Sequence, residues 1–133
     1  MTPSASAAAQ VVEVADGVFG YVQPDGGWFV NNTGFLVGRH GVVSVDTCAT
    51  TDRTVAYLDA IAGVSDRPVR TLVNTHHHGD HTYGNYLLPG ATIVGHRRVR
   101  EALLAWGRPP EPTYWEPVAW GPIELAPPFV TYD

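Results

Sequence analysis

The sequence predicts an α/β fold, a mixed sheet with helices packed on it, in one small domain. Three observations carry this. The chain opens on short apolar runs separated by tight-turn residues. The apolar spacing then switches to a helical period near residue 55. From there strand-like and helical runs alternate as far as Gly107, the signature of crossover connections and a partly parallel sheet.

The elements follow in order. Val11, Val12 and Val14 lead into a turn at Asp16-Gly17, and residues 18–23 read as a second strand. Pro24-Asp25-Gly26-Gly27 is a turn, because proline presets one backbone angle and glycine supplies positive φ. Residues 28–37 are strand-like again. Gly38-Arg39-His40-Gly41 reverses the chain into the apolar run 42–45, so the opening is a β-meander ending at Asp46. Val55, Leu58, Ile61 and Ala62 then share one helical face between a Thr50/Thr51 cap and a stop at Gly63. Residues 69–73 form the next strand, and the histidine-rich run begins directly after it. A short helical turn is expected at residues 83–88 and a fourth core strand at 91–94. Val99, Ala102, Leu103 and Trp106 line one face of a second helix, stopped by Gly107 and Pro109. A segment rich in proline and aromatic residues follows, and the last apolar run, 129–132, reads as a strand wanting a partner.

Composition removes several classes of function. With 133 residues and 44% hydrophobic content the chain can build a modest core. The net charge is −5 and every cation is an arginine. Arg97, Arg98 and Arg100 read as a solvated helix face, so nucleic acid is not an expected partner. No run approaches the ~18 apolar residues of a membrane span. Residues 1–10 are small and polar, a flexible tail rather than a signal peptide, and the lone Cys48 cannot form an intrachain disulfide. The expected setting is cytoplasmic.

His76, His78, Asp80 and His81 follow the pattern H-x-H-x-D-H. Such a pattern should arise by chance in well under about one chain in a thousand of this length. Imidazole and carboxylate suit zinc, iron and manganese. His76 and His78 leave a strand end two residues apart, so in extended backbone both rings point the same way. Gly79 permits a bend, after which Asp80 and His81 face a second position. One loop then serves two metals, which in such sites sit ~3.5–4 Å apart. His77 points away and is assigned no ligand role.

Other residues admit two readings each. Asp46, at a strand end, accepts a hydrogen bond from a ligand imidazole or the His loop, or is a turn residue before a helix. Thr75 and Asn85 brace the loop or perform ordinary turn chemistry. Trp28 and Phe29 are candidates to face a substrate, as are Tyr114, Trp115 and Trp120; core or edge packing is the alternative for all five. Cys48 reads as a small buried side chain and His96 as structural.

Residues 74–85, Asn-Thr-His-His-His-Gly-Asp-His-Thr-Tyr-Gly-Asn, resemble the metal loop of the metallo-β-lactamase superfamily. Residues 32–37 and 42–47 resemble the strand pair that precedes it in many members. The resemblance implies the amino-terminal half of an αβ/βα sandwich, with helices on the outer face of its sheet and a binuclear centre, usually zinc, iron and manganese being the alternatives. His76 and His78 would bind the first metal, Asp80 and His81 the second, and Asp46 matches a supporting acidic residue. A metal-bound water would be the nucleophile, with Asp80 helping to orient it. The substrate class implied is an ester, thioester, lactone or similar small carbonyl compound.

The departure is that the family's later ligands are absent: no histidine follows His96. Residues 11–133 are therefore expected to be incomplete alone, their site completed by a second polypeptide segment or by a homodimer mate. The competing expectation is a truncated metal-binding or interaction module without turnover.

Overall fold

A computed structural model describes residues 8–24, 26–110 and 117–133. Seven strands form one sheet in chain order. They are β1 (Gln10–Ala15), β2 (Val18–Val22), β3 (Thr33–Val37), β4 (Val42–Val45), β5 (Val69–Asn74), β6 (Thr92–His96) and β7 (Val130–Tyr132). The first three pairings are antiparallel, and β4-β5, β5-β6 and β6-β7 are parallel. The parallel pairings need crossovers. These are supplied by α1 (Thr51–Val64), by the loop carrying the one-turn helix α2 (Gly79–Thr82) and a 3-10 turn at Asn85–Leu87, and by α3 (Arg97–Trp106) with the segment after it.

Thr50 caps α1, its side chain accepting from the Arg53 N–H. Tyr57 and Ile61 pack from α1 against Tyr21, Phe35 and Val42 of the sheet. Leu72, Ile93, Leu88 and Ala91 form a second cluster, joined by Leu58 of α1. Within this core the Tyr57 hydroxyl donates to the Gly34 carbonyl and meets Ser44 Oγ at 2.9 Å.

Several expectations are corrected. Residues 28–32 are not strand: Trp28 and Phe29 occupy a turn, with Phe29 at φ 60°, and pairing starts at Thr33. The turn lets both rings leave the sheet and meet edge to face, centroids 4.6 Å apart. Gln10, given to the tail, is the first residue of β1. The α1 helix passes through Gly63 to Val64 and ends at an extended Ser65. Helical turns bracket Tyr83 rather than start there. Trp106 does not join the core with Val99 and Leu103; it is 71% exposed.

Candidate metal centre

The site grows from two neighbouring parallel strands. β4 ends at Val45 and β5 at Asn74, so the residues that follow, Asp46 on one side and Thr75 to His78 on the other, emerge together at the carboxyl edge of the sheet. Asp46 N donates to the Val73 carbonyl at 2.8 Å, and Thr47 N to the His81 carbonyl at 2.9 Å. The His81 carbonyl also accepts from Thr47 Oγ1 (3.2 Å) and Asn74 Nδ2 (3.3 Å). Three donors on one carbonyl fix where the loop turns.

Behind the loop, Asn85 Nδ2 donates to Asn74 Oδ1 at 2.7 Å and Asn74 Nδ2 returns to Asn85 Oδ1 at 3.2 Å. Asn85 Nδ2 also reaches the Ala126 carbonyl at 3.0 Å, tying the loop to the segment beyond α3. Both amides are buried, so each needs these partners. Gly79 is required for close approach more than for a bend, because a Cβ there would run into the Tyr83 ring. Gly84 is likewise pressed against Thr54 and Thr47.

Asp46 is 3% exposed and sits at φ 65°. Its Oδ1 accepts from Thr75 N at 2.8 Å. Its Oδ2 accepts from Thr75 Oγ1 at 2.7 Å and faces His81 Nδ1 at 2.8 Å. A hydroxyl has one proton to give. Thr75 gives it to the carboxylate, so at 2.9 Å its oxygen accepts from His76 Nδ1. Nδ1 of His76 and Nδ1 of His81 are thus both donors, which leaves Nε2 as the coordinating nitrogen of each ring.

The rings converge. His76 lies 4.2 Å from His81 and 4.8 Å from His78, centroid to centroid, and His81 Nε2 is 3.3 Å from Asp80 Oδ2. Donor atoms of Asp46, His76 and His81 fall within 4.8 Å of one another. Because three hydrogen bonds already engage both Asp46 oxygens, that residue is better suited to hold the ligands than to be one. Burial alone would keep His81 neutral, but hydrogen bonds and charge from Asp46 and Asp80 raise it to about 9. Burial would raise the Asp80 carboxyl, yet its hydrogen bond to His81 holds it below the usual range. His76 is lowered by burial and by the neighbouring rings of His81 and His78.

The structure therefore brings His76, His78, Asp80, His81 and Asp46 together, and gives Thr75 and Asn85 the bracing contacts. His77 turns to Trp106, with ring centroids 5.4 Å apart, while remaining 4.8 Å from His78. His96 caps α3, accepting from Arg98 N, and Cys48 is fully buried. Trp120 is buried against Phe29 and Tyr83, so it is packing rather than a free wall. Tyr114 and Trp115 lie outside the described residues. Trp28 and Phe29 line a cleft beside His78 and Asp80. Sequence reasoning missed Asn74 and Thr47; an Asn-Thr pair at a strand end signals no bracing role without its spatial partners.

The model of the metallo-beta-lactamase superfamily matches residues 26–133. No curated protein matches the chain. Among solved structures, it resembles the metallo-beta-lactamase of Hirschia baltica with a TM-score of 0.63 and 20% identity, over 74% of this chain and 48% of that one. A metallo-beta-lactamase of Erythrobacter litoralis, crystallised with beta mercaptoethanol in its active site, gives 0.63 and 24% over 73% and 45%. FIM-1 from Pseudomonas aeruginosa in its mono-zinc form gives 0.64 and 17% over 75% and 47%. These likenesses concern the fold, and the chain spans about half the length of each structure. From the family match across most of its length, with the mixed sheet and the His loop at its carboxyl edge, the chain belongs to the metallo-beta-lactamase superfamily.

Proposed function

We propose that the protein is a zinc-dependent hydrolase of small carbonyl substrates (esters, thioesters, lactones or their kin) and that a segment outside these 133 residues completes its metal centre. The observation that carries the reading is the presentation of His76 and His81 through Nε2, each ring held by its Nδ1, beside Asp80 and His78. That donor set fits a divalent ion of the zinc class. His76 and His78 are assigned to a first ion, Asp80 and His81 to a second.

Bound there, divalent ions supply Lewis acidity and an acidified water. The chain's residues do the rest. Asp46 and Thr75 hold the two imidazoles in one tautomer. Asp80, kept ionised, would accept a hydrogen bond from the attacking water and orient it. Completion is supported by the ligand count, because catalytic zinc usually has three protein ligands and His76 with His78 provide two. It is also supported by the matched structures being about twice as long. No helix among the described residues is long and apolar enough to cross a membrane. With the single cysteine, a cytoplasmic setting is the proposed one.

A second reading, a metal-binding module without turnover, is favoured by the same ligand shortage; a homodimer supplying the missing ligands is the third. The test is elemental analysis of purified protein with native mass spectrometry and a panel of ester, thioester, lactone and β-lactam substrates. Close to two zinc ions per completed site, with hydrolysis abolished by a chelator and by His76→Ala, is the expected result. Metal uptake without turnover on any of them would favour the second reading. A lone chain taking up no metal would defeat both.

A further inference from the structure

Beside the metal loop lies a cleft of roughly 530 Å³, a size typical of small-molecule sites and too small for a protein partner. Trp28 and Phe29 form one wall, with Phe29 anchored edge-on against buried Trp120 at 5.0 Å. Trp106, the last residue of α3, lines the same cleft with its ring edge-on to His77 at 5.4 Å. Its 71% exposure is the highest of any large apolar side chain among the described residues. An exposed indole held by a neighbouring ring is a ready surface for a flat apolar group.

Gly107, at φ 73°, ends α3, and Arg108 beyond it lines the cleft too. Arg53, Arg67, Arg70, Arg97 and Arg100 each donate to a protein acceptor. Arg108 makes no such bond among the described residues. It is their only cationic side chain on the cleft, and Asp80 is their only anionic one. A guanidinium fork without a partner matches a carboxylate. Asp80 repels a carboxylate, which leaves Arg108 as its place.

We infer that this cleft selects substrates carrying both a flat apolar group and a carboxylate, the ring lying between Trp28–Phe29 and Trp106 and the carboxylate pairing with Arg108. The inference rests on the hydrolase reading for its word substrate, but its binding chemistry does not. Trp106 and Arg108 are specificity determinants here, and neither takes part in the reaction.

Calorimetric titration of the chelator-treated protein with 2-naphthylacetate, its neutral amide and acetate tests it. The acid should bind about tenfold more tightly than the amide, as expected of a charge-assisted hydrogen bond. Acetate should not bind measurably. In Arg108→Gln the acid-to-amide ratio should fall to about one, and Trp106→Ala should weaken both ring probes about fivefold. Both residues are exposed, so thermal melts matching the parent will show that the variants fold. Equal binding of acid and amide, a ratio that survives in Arg108→Gln, or no binding of either ring probe would each overturn the inference. Failure of the hydrolase reading looks different: no metal uptake or turnover in separate assays, with the acid-to-amide preference intact.

Discussion

On one face of the sheet, Phe35, Val42, Leu72 and Ile93 are between 0 and 5% exposed, covered by α1 and the loops around Leu88. On the other, Leu36 is 40% exposed and Val43, Val45, Val73 and Val94 are half-buried. Parallel strands are ordinarily covered on both faces. The contrast separates two tasks. The covered face holds the fold together, while the valine-lined face is left half-buried. The metal loop stands at the rim between them, and Asp46 and His81 also line a hollow on the open side with Val45 and Leu36.

The sharpest way to break this comparison is to shorten adjacent residues of β5. Leu72→Ala, on the covered face, should cost ~2–5 kcal/mol in urea unfolding, as buried leucines do. Val73→Ala, its neighbour on the open face, should cost about 1 kcal/mol or less. Equal losses would show that the open face is covered in solution, by another segment or another copy.

At the rim, Asp46→Asn keeps a residue that tolerates positive φ but removes the charge. Zinc affinity, measured by competition with a chromophoric chelator, should fall roughly 10- to 100-fold. An unchanged affinity would mean that His81 needs no carboxylate behind it. Thr75→Val removes the hydroxyl between Asp46 and His76 and should cost about 1 kcal/mol of metal binding or stability.

The smallest effect is expected at Cys48, under the covered face. Burial pushes this thiol from 9.0 up to about 12. At pH 8 a disulfide reagent should therefore label it only as fast as the protein unfolds. By the same linkage, the folded state loses stability as pH climbs from 9.0 toward 12, since only the unfolded chain can ionise the thiol. Rapid labelling without unfolding would show that the covered face opens locally.

Much of this was legible in the sequence where the signal was local. The meander, the Thr50 cap, α1, β5 and the H-x-H-x-D-H loop each rest on residues close in the chain. The reading failed where distant residues decide. Residues 28–32 look like a strand because aromatic residues favour sheets, but Phe29 leaves the ladder to pack on Trp120, 91 positions away. Trp106 sits at the right spacing for the core face of α3, yet it is the helix's last residue and meets His77 instead. Asp46 admits two readings, turn and support, and the contacts give it the second: just past β4, at φ 65°, it anchors Thr75 and His81.

The backbone of Asp46 has a consequence for how the protein can change. A side chain at φ 65° carries a strain of order 1–3 kcal/mol that glycine would not. Asp46→Gly would relax the backbone while discarding the acceptor for three hydrogen bonds. The three lost bonds, at about 1 kcal/mol each, offset that strain. A screen for heat tolerance alone should therefore be nearly indifferent between aspartate and glycine here, and a screen for metal retention should keep aspartate.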